Sequence, residues 1–394
     1  MYIERSVGFL AKKLADQYPV IAITGPRQSG KTTLSKALFT DKPYVSLEDI
    51  DVREYAQEDP RDFINQYPEG AVLDEVQNVP SLFSYIQTIV DNNRKPGQFI
   101  LTGSQQFGLF SRITQSLSGR IALITLLPFS QCELKSLESR SRTIDQVLFT
   151  GFYPPIYDRK LEPGTWYGNY VRTYLERDVR KMVNVRDLSA FQRFLRLCSG
   201  RIGQLVNFSS LANDCGITHN TARAWISILE ASFIIRLLQP HYRNFNKRLI
   251  KSPKMYFYDP GLAVWLLGIR EPEQLRLHPM RGALFESLVV SECLKYCYNS
   301  GLEPNLYFWR DRTGNEIDVI IDKGNRLIPL EIKSGTTISG DYFRNIFYWR
   351  KLSGKPDEKA WLIYGGESGQ VRSGIEALSW KKLMEEETLQ RMLN

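Results

Sequence analysis

Short apolar runs, separated by polar and amphipathic stretches, characterise the first 150 residues of this 394-residue chain. Uninterrupted apolar runs occupy residues 20–23, 71–73 and 99–101, and a stretch of helical character follows the first of them. Apolar runs without alternation are typical of strands that are buried on both faces of a parallel sheet. The pattern therefore predicts an α/β domain in this part of the chain.

The middle of the chain has a different pattern. Residues 165–198 repeat aromatic and aliphatic side chains at intervals of three and four, which is typical of a helix. Two shorter helices are predicted at 209–215 and 219–230, and two strands at 233–238 and 254–258. Two helices joined by a short turn that contains glycine form a helix-turn-helix pattern. With the two strands that follow, the segment is predicted to be a winged helix.

The last third of the chain predicts a second α/β arrangement. A helical pattern over 281–298 precedes strand patterns at 306–310, 316–321 and 327–333. A chain of this length is expected to contain two to three domains. The expected domains are residues 1–150, 151–270 and 271–394.

Composition excludes several classes of protein. The chain is 43% hydrophobic and 24% charged, which is ordinary for globular proteins and excludes collagen-like or wholly disordered chains. No uncharged apolar run approaches the ~18–20 residues that span a bilayer, and the first residues do not resemble an export signal. The five cysteines are widely scattered, and reduced thiols in the core are expected. We therefore expect a cytoplasmic protein with no membrane partner.

The net charge of +8 is concentrated in one part of the chain. Residues 151–250 carry 15 Lys and Arg against 7 Asp and Glu, whereas the segments on either side are nearly balanced. A local cationic excess favours a polyanionic partner such as a nucleic acid. A solvated face or a surface between subunits would also account for the excess, so the charge alone does not decide.

The segment VIAITGPRQSGKTT at 20–33 contains the pattern G-x-x-x-x-G-K-T between a buried strand and a helix. The glycines allow the loop to curl so that its N–H groups point inward, and the N-terminus of the helix adds positive potential. Lys31 is expected to bridge the β- and γ-phosphates of ATP, and the Thr32 hydroxyl to ligate Mg²⁺. The residues expected to bind the nucleotide are Gly25, Pro26, Arg27, Gln28, Ser29, Gly30, Lys31, Thr32 and Thr33.

A second buried strand, AVLDE at 71–75, ends in two carboxylates. Asp74 is expected to hold Mg²⁺, and Glu75 is expected to be the base that polarises the attacking water. A second carboxylate at this place favours hydrolysis over binding alone.

Two further candidates concern the γ-phosphate. The third strand ends in Thr102 and Ser104, and these hydroxyls are expected to reach the γ-phosphate region, as a sensor hydroxyl does in the additional-strand class of P-loop ATPases. The sequence does not decide between the two, and Ser104 is taken as the candidate. Arg120, just before the apolar run 121–129, is a candidate for stabilising charge on the phosphates, either in its own chain or in a neighbouring subunit. The second possibility favours a homo-oligomer.

Several segments resemble one family of prokaryotic AAA-type ATPases, which join an N-terminal ATPase domain to a C-terminal domain of unknown function. In the first third they are GPRQSGKTT, YVSLED at 44–49, AVLDEVQNVP at 71–80, ILTGSQQF at 100–107 and LSGRIALITLLPF at 117–129. Beyond it they are YFYDPGLAVWLLG at 256–268, RGALFE at 281–286 and NEIDVII with LEIKSG within 315–335. The resemblance covers nearly the whole chain and implies this architecture and ATP binding. It also implies that residues 165–198 form a helical lid.

The winged-helix segment carries the candidate nucleic-acid contacts. On its second helix, one face is apolar and the other carries donors that a recognition helix presents to bases or phosphates. The basic segment between the two strands suits phosphate contacts, which position a protein without reading sequence. The residues expected to contact DNA are His219, Asn220, Arg223, Arg243, Lys247 and Arg248. A role in packing subunits together is the alternative.

The C-terminal strands carry a D…E-x-K pattern, which is the arrangement of restriction-endonuclease-like nucleases. Residues i and i+2 of a strand share a face, so Glu331 and Lys333 are expected to point the same way. Asp318 and Glu331 are expected to bind Mg²⁺, with Glu286 as a further carboxylate, and Lys333 to orient or deprotonate a water. An ion pair between Glu331 and Lys333 without catalysis is the alternative.

The sequence as a whole predicts an α/β protein with a P-loop AAA-type ATPase domain, a winged helix and a restriction-endonuclease-like domain. The expected function is Mg²⁺-dependent ATP hydrolysis coupled to DNA binding, with metal-dependent DNA cleavage as an additional activity. The alternative is an ATP-switched DNA- or protein-binding scaffold whose C-terminal site is inactive.

Overall fold

The computed structural model describes residues 2–104, 117–137, 142–175, 188–241 and 251–394. The chain forms two compact units. The first comprises Met1–Phe129, Ala231–Phe233 and Tyr298–Leu302, and the second comprises Ser130–Glu230, Ile234–Cys297 and Glu303–Asn394. Among the residues described, no helix combines the length and the apolar character needed to cross a bilayer.

The first unit contains a five-stranded parallel sheet with helices on both faces. Its elements are α1 (Val7–Ala15), β1 (Val20–Thr24), α2 (Lys31–Leu38), β2 (Tyr44–Ser46), α3 (Ile50–Glu58), α4 (Pro60–Asn65), β3 (Ala71–Asp74), α5 (Leu82–Asn93), β4 (Phe99–Gly103) and β5 (Ile121–Thr125). The strand order is β2-β3-β4-β1-β5, and every pair is parallel. Thus β4 lies between the strand that leads into the glycine-rich loop and the strand that ends in two acids.

The three central strands of this sheet, β1, β3 and β4, are buried on both faces, as their uninterrupted apolar runs predict. Successive strand residues point to opposite faces, so Val20 packs on one side with Phe63 and Phe83, from α4 and α5. Ile21 packs on the other side with Val7 of α1, in a cluster to which α2 also contributes. Because parallel strands share their carboxyl ends, the loops after β1, β3 and β4 emerge at one edge of the sheet.

The second unit begins with a helical region that leads into a two-stranded hairpin. Its helices are α6 (Gln131–Leu134), α7 (Ile144–Thr150), α8 (Pro154–Asp158), α9 (Pro163–Tyr170), α10 (Leu188–Ser199), α11 (Phe208–Cys215) and α12 (His219–Ala231). They are followed by β6 (Ile235–Leu238), which pairs antiparallel with β7 (Lys254–Phe257), and by α13 (Pro260–Leu266). Of the helix expected over 165–198, the structure describes α9, a π-helical turn at Val171–Leu175 that continues from it, and α10; residues 176–187 lie outside the described residues.

The two short helices before the hairpin are fixed by their ends. Helix α11 begins at Phe208, one residue earlier than expected, because the side chain of Asn207 accepts a hydrogen bond from the Ser210 N–H. It ends at Gly216, whose φ of 69° lies in the left-handed region that favours glycine. The Thr218 hydroxyl then accepts a hydrogen bond from the N–H of Thr221 at the start of α12.

The remainder of the second unit is a six-stranded mixed sheet with helices. Its elements are α14 (Arg281–Asn299), β8 (Leu306–Arg310), β9 (Glu316–Asp322), β10 (Leu327–Lys333), α15 (Arg344–Ser353), β11 (Ala360–Tyr364), β12 (Gln370–Arg372), β13 (Ile375–Ser379) and α16 (Glu386–Leu393). The strand order is β12-β13-β11-β10-β9-β8. Strands β8, β9 and β10 are antiparallel, whereas β10, β11 and β13 are parallel. Of the two charged residues on the interior strand β10, Glu331 is fully buried and Lys333 is partly exposed.

Candidate functional site

The loop after β1 has a backbone that only glycine permits at its first position. Gly25 has a φ of 153°, and a Cβ on it would lie 2.0 Å from the carbonyl oxygen of Leu126. Gln28 and Gly30 have φ values of 64° and 94°. These positive angles curl the loop toward the first turn of α2, as the nucleotide-binding pattern requires.

Lys31, the first residue of α2, directs its side chain back into this loop. Its Nζ donates to the carbonyl oxygens of Gly25 at 3.1 Å and Pro26 at 2.8 Å, and the residue is 5% exposed. The backbone carbonyl of Ser29 is in turn held by the guanidinium of Arg5, at 2.8 Å. The Lys31 ammonium, which the sequence predicts to contact the phosphates of ATP, is therefore bound to backbone carbonyls of the loop.

Asp74, the last residue of β3, accepts hydrogen bonds from three hydroxyl groups. Its Oδ2 accepts from Thr32 Oγ1 at 2.8 Å and from the Tyr44 hydroxyl at 2.6 Å, and its Oδ1 accepts from Thr102. Burial, and then the adjacent carboxylate, raise the pKa of Tyr44, so this hydroxyl stays a donor. The Thr32 hydroxyl and the Asp74 carboxylate are hard oxygen donors side by side, which is the donor set that Mg²⁺ prefers. The residues present fit this ion.

The Glu75 side chain has hydrogen-bond partners of its own. Its φ of 56° is unusual for a residue with a side chain and costs on the order of 1 kcal/mol. Its Oε2 accepts from Ser104 Oγ at 3.1 Å and from the side-chain amide of Gln77. The other amide atom of Gln77, Oε1, is buried and has no hydrogen-bond partner among the described residues. Ser104, expected near the γ-phosphate, thus contacts the expected base.

Arg120 lies at the other end of the sheet. Its carbonyl accepts from the N–H of Val20, the first residue of β1, whereas the phosphate loop follows the last. Five strand residues at ~3.3 Å each separate the two ends by about 15 Å. The guanidinium is engaged by Asp91 and by the carbonyl of Ser118. This position does not support contact with its own nucleotide, and contact with a neighbouring subunit's nucleotide stays a prediction.

The D…E-x-K residues meet on β9 and β10. Lys333 Nζ lies 2.8 Å from Glu331 Oε2 and 3.1 Å from Asp318 Oδ2, which also accepts from the N–H of Ile332 at 2.8 Å. Burial, reinforced by Asp318, raises the pKa of Glu331 well above its usual value. Burial would also raise the pKa of Asp318, but Lys333 and the hydrogen bond with Glu331 outweigh it and lower the pKa to about 2. The negative charge therefore resides on Asp318.

Glu286, the further expected ligand, is engaged by a residue of the hairpin. Its Oε1 accepts from Lys254 Nζ at 3.2 Å and from the hydroxyl of Tyr256, both on β7. Burial raises the pKa of Glu286 to about 7, although Lys254 opposes this shift. Lys254 also pairs with Glu316 of β9, so one ammonium joins two carboxylates.

This arrangement does not fit a metal ion. In the part of the chain that the structure describes, no three His, Cys, Asp or Glu side chains form a group able to hold one. Lys333 bonds to Asp318 and Glu331, and Lys254 bonds to Glu286. We derive no metal-dependent step from the cluster as it stands, and metal binding by these acids stays a prediction.

Comparison with known proteins identifies the family. The chain is 30% identical over 349 residues to "Uncharacterized protein Rv2008c" of Mycobacterium tuberculosis and to "Uncharacterized protein Mb2031c" of Mycobacterium bovis. The alignment covers 86% of this chain and 76% of each relative. The chain belongs to the family of these proteins.

Three protein-family models match successive parts of the chain. Residues 17–135 match an AAA domain, residues 141–273 a domain of unknown function (DUF8612) and residues 281–383 a domain of unknown function (DUF4143). The first match and the phosphate loop together make the N-terminal part an AAA-type ATP-binding domain, as predicted. The predicted combination with a C-terminal domain of unknown function is also confirmed. The matches assign no chemistry to that domain.

Solved structures similar to the chain include P-loop ATPases. The Walker-type ATPase PABY2304 of Pyrococcus abyssi is 14% identical with a TM-score of 0.43, covering 67% of this chain and 96% of that one. AMPPCP-bound DnaA from Aquifex aeolicus is 18% identical with a TM-score of 0.31, covering 57% of this chain and 85% of that one.

The candidate nucleic-acid residues fall into two groups. His219, Asn220 and Arg223 are exposed on α12, opposite a buried stripe that includes Trp225 and Leu229. The expected contacts of the segment between the strands, Arg243, Lys247 and Arg248, lie outside the described residues.

Two further residues were expected to bind ATP. The Arg27 guanidinium lies 4.0 Å from the Glu48 carboxylate, and Thr33 is exposed on α2.

Three residues at these sites were not predicted from the sequence. Tyr44 donates to Asp74, Gln77 donates to Glu75, and Lys254 pairs with Glu286 and Glu316. Gln77 could have been predicted, because it follows the expected base Glu75 by only two residues and its amide can donate to that carboxylate. Neither the tyrosine at the start of β2 nor the lysine at the start of β7 carries a local signal, because each contact spans about 30 residues or more.

Proposed function

We propose that this protein is an Mg²⁺-dependent ATPase whose nucleotide state controls its binding to DNA. The observation that carries the ATPase proposal is the meeting of Lys31, Thr32 and Asp74 at one edge of a parallel sheet, with Glu75 beside them. In this proposal Lys31 exchanges its loop carbonyls for phosphate oxygens, which are stronger acceptors because they are charged. Thr32 and Asp74 would hold Mg²⁺, which supplies charge neutralisation on the phosphates when bound.

In the same proposal Glu75 orients and deprotonates the attacking water. Its carboxylate shares one oxygen between Ser104 and Gln77, and these two donors define its direction. General-base catalysis of this kind contributes about 10²–10⁴-fold to the rate.

Two substitutions test the ATPase proposal. Lys31→Ala is expected to abolish nucleotide binding, because the loop loses its cation. Glu75→Gln is expected to keep binding and to stop turnover, because an amide does not accept the proton. Fluorescent-nucleotide binding and phosphate release measure the two, and Glu58→Gln, at an exposed position on α3, is the matched control. Turnover of Glu75→Gln at the wild-type rate would show that Glu75 is not the base.

The DNA-binding part of the proposal is supported by the helix-turn-helix order of α11 and α12, by the exposed donors of α12 and by the cationic excess of residues 151–250. DNA affinity is expected to fall steeply with salt, because phosphate contacts release counterions. Arg223→Ala is expected to weaken binding to a labelled duplex in fluorescence anisotropy, whereas Arg344→Ala, on α15, is the exposed control. If Arg223→Ala changed the oligomeric mass and left DNA affinity unchanged, α12 would be a subunit-packing element.

Oligomerisation belongs to the same proposal. Arg120 is too far from its own phosphate loop, so a homo-oligomer is the arrangement in which it would contact a nucleotide. Mass measurement with and without ATP, on wild type and Arg120→Ala, tests this. The reducing cytoplasm is the proposed compartment, and the free thiols of the five cysteines support it.

A second candidate function is DNA cleavage by the C-terminal cluster. The observation that favours it is the juxtaposition of Asp318, Glu331 and Lys333 on adjacent strands. The alternative, an ATP-switched binding scaffold with an inactive C-terminal site, is favoured by the pairing of Glu286 with Lys254. Plasmid incubated with protein and Mg²⁺, with and without ATP, distinguishes the two. Cleavage that is lost in Asp318→Ala and Lys333→Ala supports the nuclease, and no cleavage with intact ATP turnover supports the scaffold.

A further inference from the structure

Arg27 lies at the tip of the phosphate loop. The N–H of Ser29 donates to the carbonyl of Pro26 at 3.4 Å, and Gln28, with a φ of 64°, is the third residue of the turn that this hydrogen bond closes. A positive φ at the third position is typical of a tight four-residue turn, whose two central residues form its tip. Arg27 is the first of these two residues, so its side chain starts from the outermost part of the loop.

The side chain of Arg27 extends along the sheet edge toward β2. Its guanidinium lies 4.0 Å from Glu48 Oε1, and only 12% of the side chain is exposed. Glu48 follows Leu47, whose N–H donates to the carbonyl of Asp74 at 3.0 Å. In the strand order β2-β3-β4-β1, two strands separate the loop after β1 from Glu48, and neighbouring strands lie about 4.8 Å apart. The Arg27–Glu48 contact therefore joins the two flanks of this edge, and Asp74, at the end of β3, lies between them.

The two other arginines considered for this site lie elsewhere. Arg5 donates to the carbonyls of Ser29 and Leu127, so it contacts the loop from the side of β5. Strand β5 borders β1 on the side away from β3 and β4. Arg120 lies at the opposite edge of the sheet. Of these three guanidinium groups, that of Arg27 is the one on the side of the expected magnesium ligands.

The contact with Glu48 leaves Arg27 able to change partner. The Glu48 side chain is 60% exposed, and an exposed carboxylate at this distance from a guanidinium contributes little to stability. A phosphoryl group carries charged oxygens, which accept two parallel hydrogen bonds from the planar guanidinium. We therefore expect Arg27 to exchange Glu48 for the γ-phosphate when ATP binds.

We propose that Arg27 is a catalytic arginine that the phosphate loop supplies to its own active site. In the hydrolysis of ATP, the water oxygen forms a bond to the γ-phosphorus, and the bond from that phosphorus to the oxygen of the β-phosphate breaks. Glu75 takes the proton of the water, and ADP and inorganic phosphate are the products. Charge on the transferring phosphoryl group is stabilised by the Arg27 guanidinium. The inference rests on the proposed ATPase function and adds to it the residue that stabilises this charge.

Loss of Arg27 should lower turnover much more than affinity. An arginine that contacts the transferring phosphoryl group contributes about 10³–10⁵-fold to kcat. The ground state of ATP is also held by Lys31 and by the N–H groups of the loop, which remain when Arg27 is replaced. An interaction that is stronger in the transition state than in the ground state raises kcat, whereas one that is equal in both raises affinity alone.

The test compares the full-length wild type with Arg27→Gln and with the matched control Arg61→Gln, at an exposed position on α4. Phosphate release gives kcat, a fluorescent non-hydrolysable ATP analogue gives ground-state affinity, and ADP with aluminium fluoride mimics the transferring phosphoryl group. Arg27→Gln is expected to lower kcat, and affinity for the aluminium fluoride complex, at least about 10²-fold. Its affinity for the ATP analogue is expected to fall about tenfold or less. Arg61→Gln is expected to match the wild type.

Two further variants separate catalysis from a structural ion pair. Glu48→Gln is expected to keep or tighten the affinity for the ATP analogue, because Arg27 no longer leaves a carboxylate. A structural ion pair would instead make Glu48→Gln lower kcat as much as Arg27→Gln does. Arg27→Lys keeps the charge without the planar fork and is expected to retain part of the lost rate. If Arg27→Gln does not fold, Arg27→Lys replaces it, with a kcat at least about tenfold below wild type.

Three results would overturn the proposal. One is turnover of Arg27→Gln within about threefold of wild type. Another is a loss of ATP-analogue affinity as large as the loss of affinity for the aluminium fluoride complex, which would make Arg27 a ground-state binding residue. The third is a loss of kcat in Glu48→Gln equal to that in Arg27→Gln. All three require an active wild type, whereas a wild type without turnover would overturn the ATPase proposal and the role of Arg27 with it.

Discussion

Arg5 holds the phosphate loop in place from outside the nucleotide motif, and its removal should be costly. The side chain is 5% exposed and donates to two backbone carbonyls, of Ser29 at 2.8 Å and of Leu127 at 2.7 Å. Its guanidinium also lies 4.7 Å from the centre of the Phe129 ring. The residue thus ties the loop to the segment that follows β5.

The expected loss of stability follows from these contacts. A hydrogen bond with a charged donor contributes about 1.5–3 kcal/mol to stability. When the donor is removed, the carbonyl stays buried without a hydrogen-bond partner, which also lowers stability. At the lower end of this range, two such bonds make Arg5→Met destabilising by about 3 kcal/mol. For a unit of this size, about 2–4 °C of melting temperature per kcal/mol converts this to a decrease of about 6–12 °C.

Two measurements check the expectation. Differential scanning calorimetry compares wild type, Arg5→Met and the exposed control Arg61→Met on α4. Fluorescent-nucleotide titration, well below the melting temperature, is expected to show weaker binding for Arg5→Met alone, because the carbonyl of Ser29 loses its anchor. A melting temperature within about 2 °C of the Arg61→Met value, with unchanged nucleotide affinity, would refute the reasoning.

Three further predictions concern the nucleotide site and the C-terminal cluster. Gly25→Ala should abolish nucleotide binding without unfolding the protein, because the new Cβ would lie 2.0 Å from a carbonyl oxygen; wild-type affinity in a nucleotide titration would contradict this. Tyr44→Phe should raise the Mg²⁺ concentration needed for half-maximal ATPase rate about tenfold, because Asp74 loses a donor that orients it; an unchanged Mg²⁺ dependence would exclude this role. The melting temperature of the wild-type protein should fall as the pH rises from 5 to 8, and it should fall less in Glu286→Gln. Burial raises the pKa of Glu286 from 4.5 to about 7, so its stabilising proton is bound below pH 4.5 and lost as pH rises through 7.

The nucleotide site was predictable because its information is local. The loop, the cation and the hydroxyl lie within nine consecutive residues, and a strand before and a helix after them suffice to orient the set. Asp74 joins them because β1 and β3 are parallel and end at the same edge of the sheet. The same rule, applied to Arg120, would have placed it correctly: it precedes its strand and therefore lies at the opposite edge.

The partners of the acids were not predictable, since they depend on which strands become neighbours. Tyr44 reaches Asp74 only because β2 pairs with β3 in the register that sets Ser46 opposite Asp74. Lys254 reaches Glu286 only because the hairpin packs against α14 and β9. Nothing in the apolar pattern of β7 distinguishes a lysine that faces solvent from one that faces two glutamates.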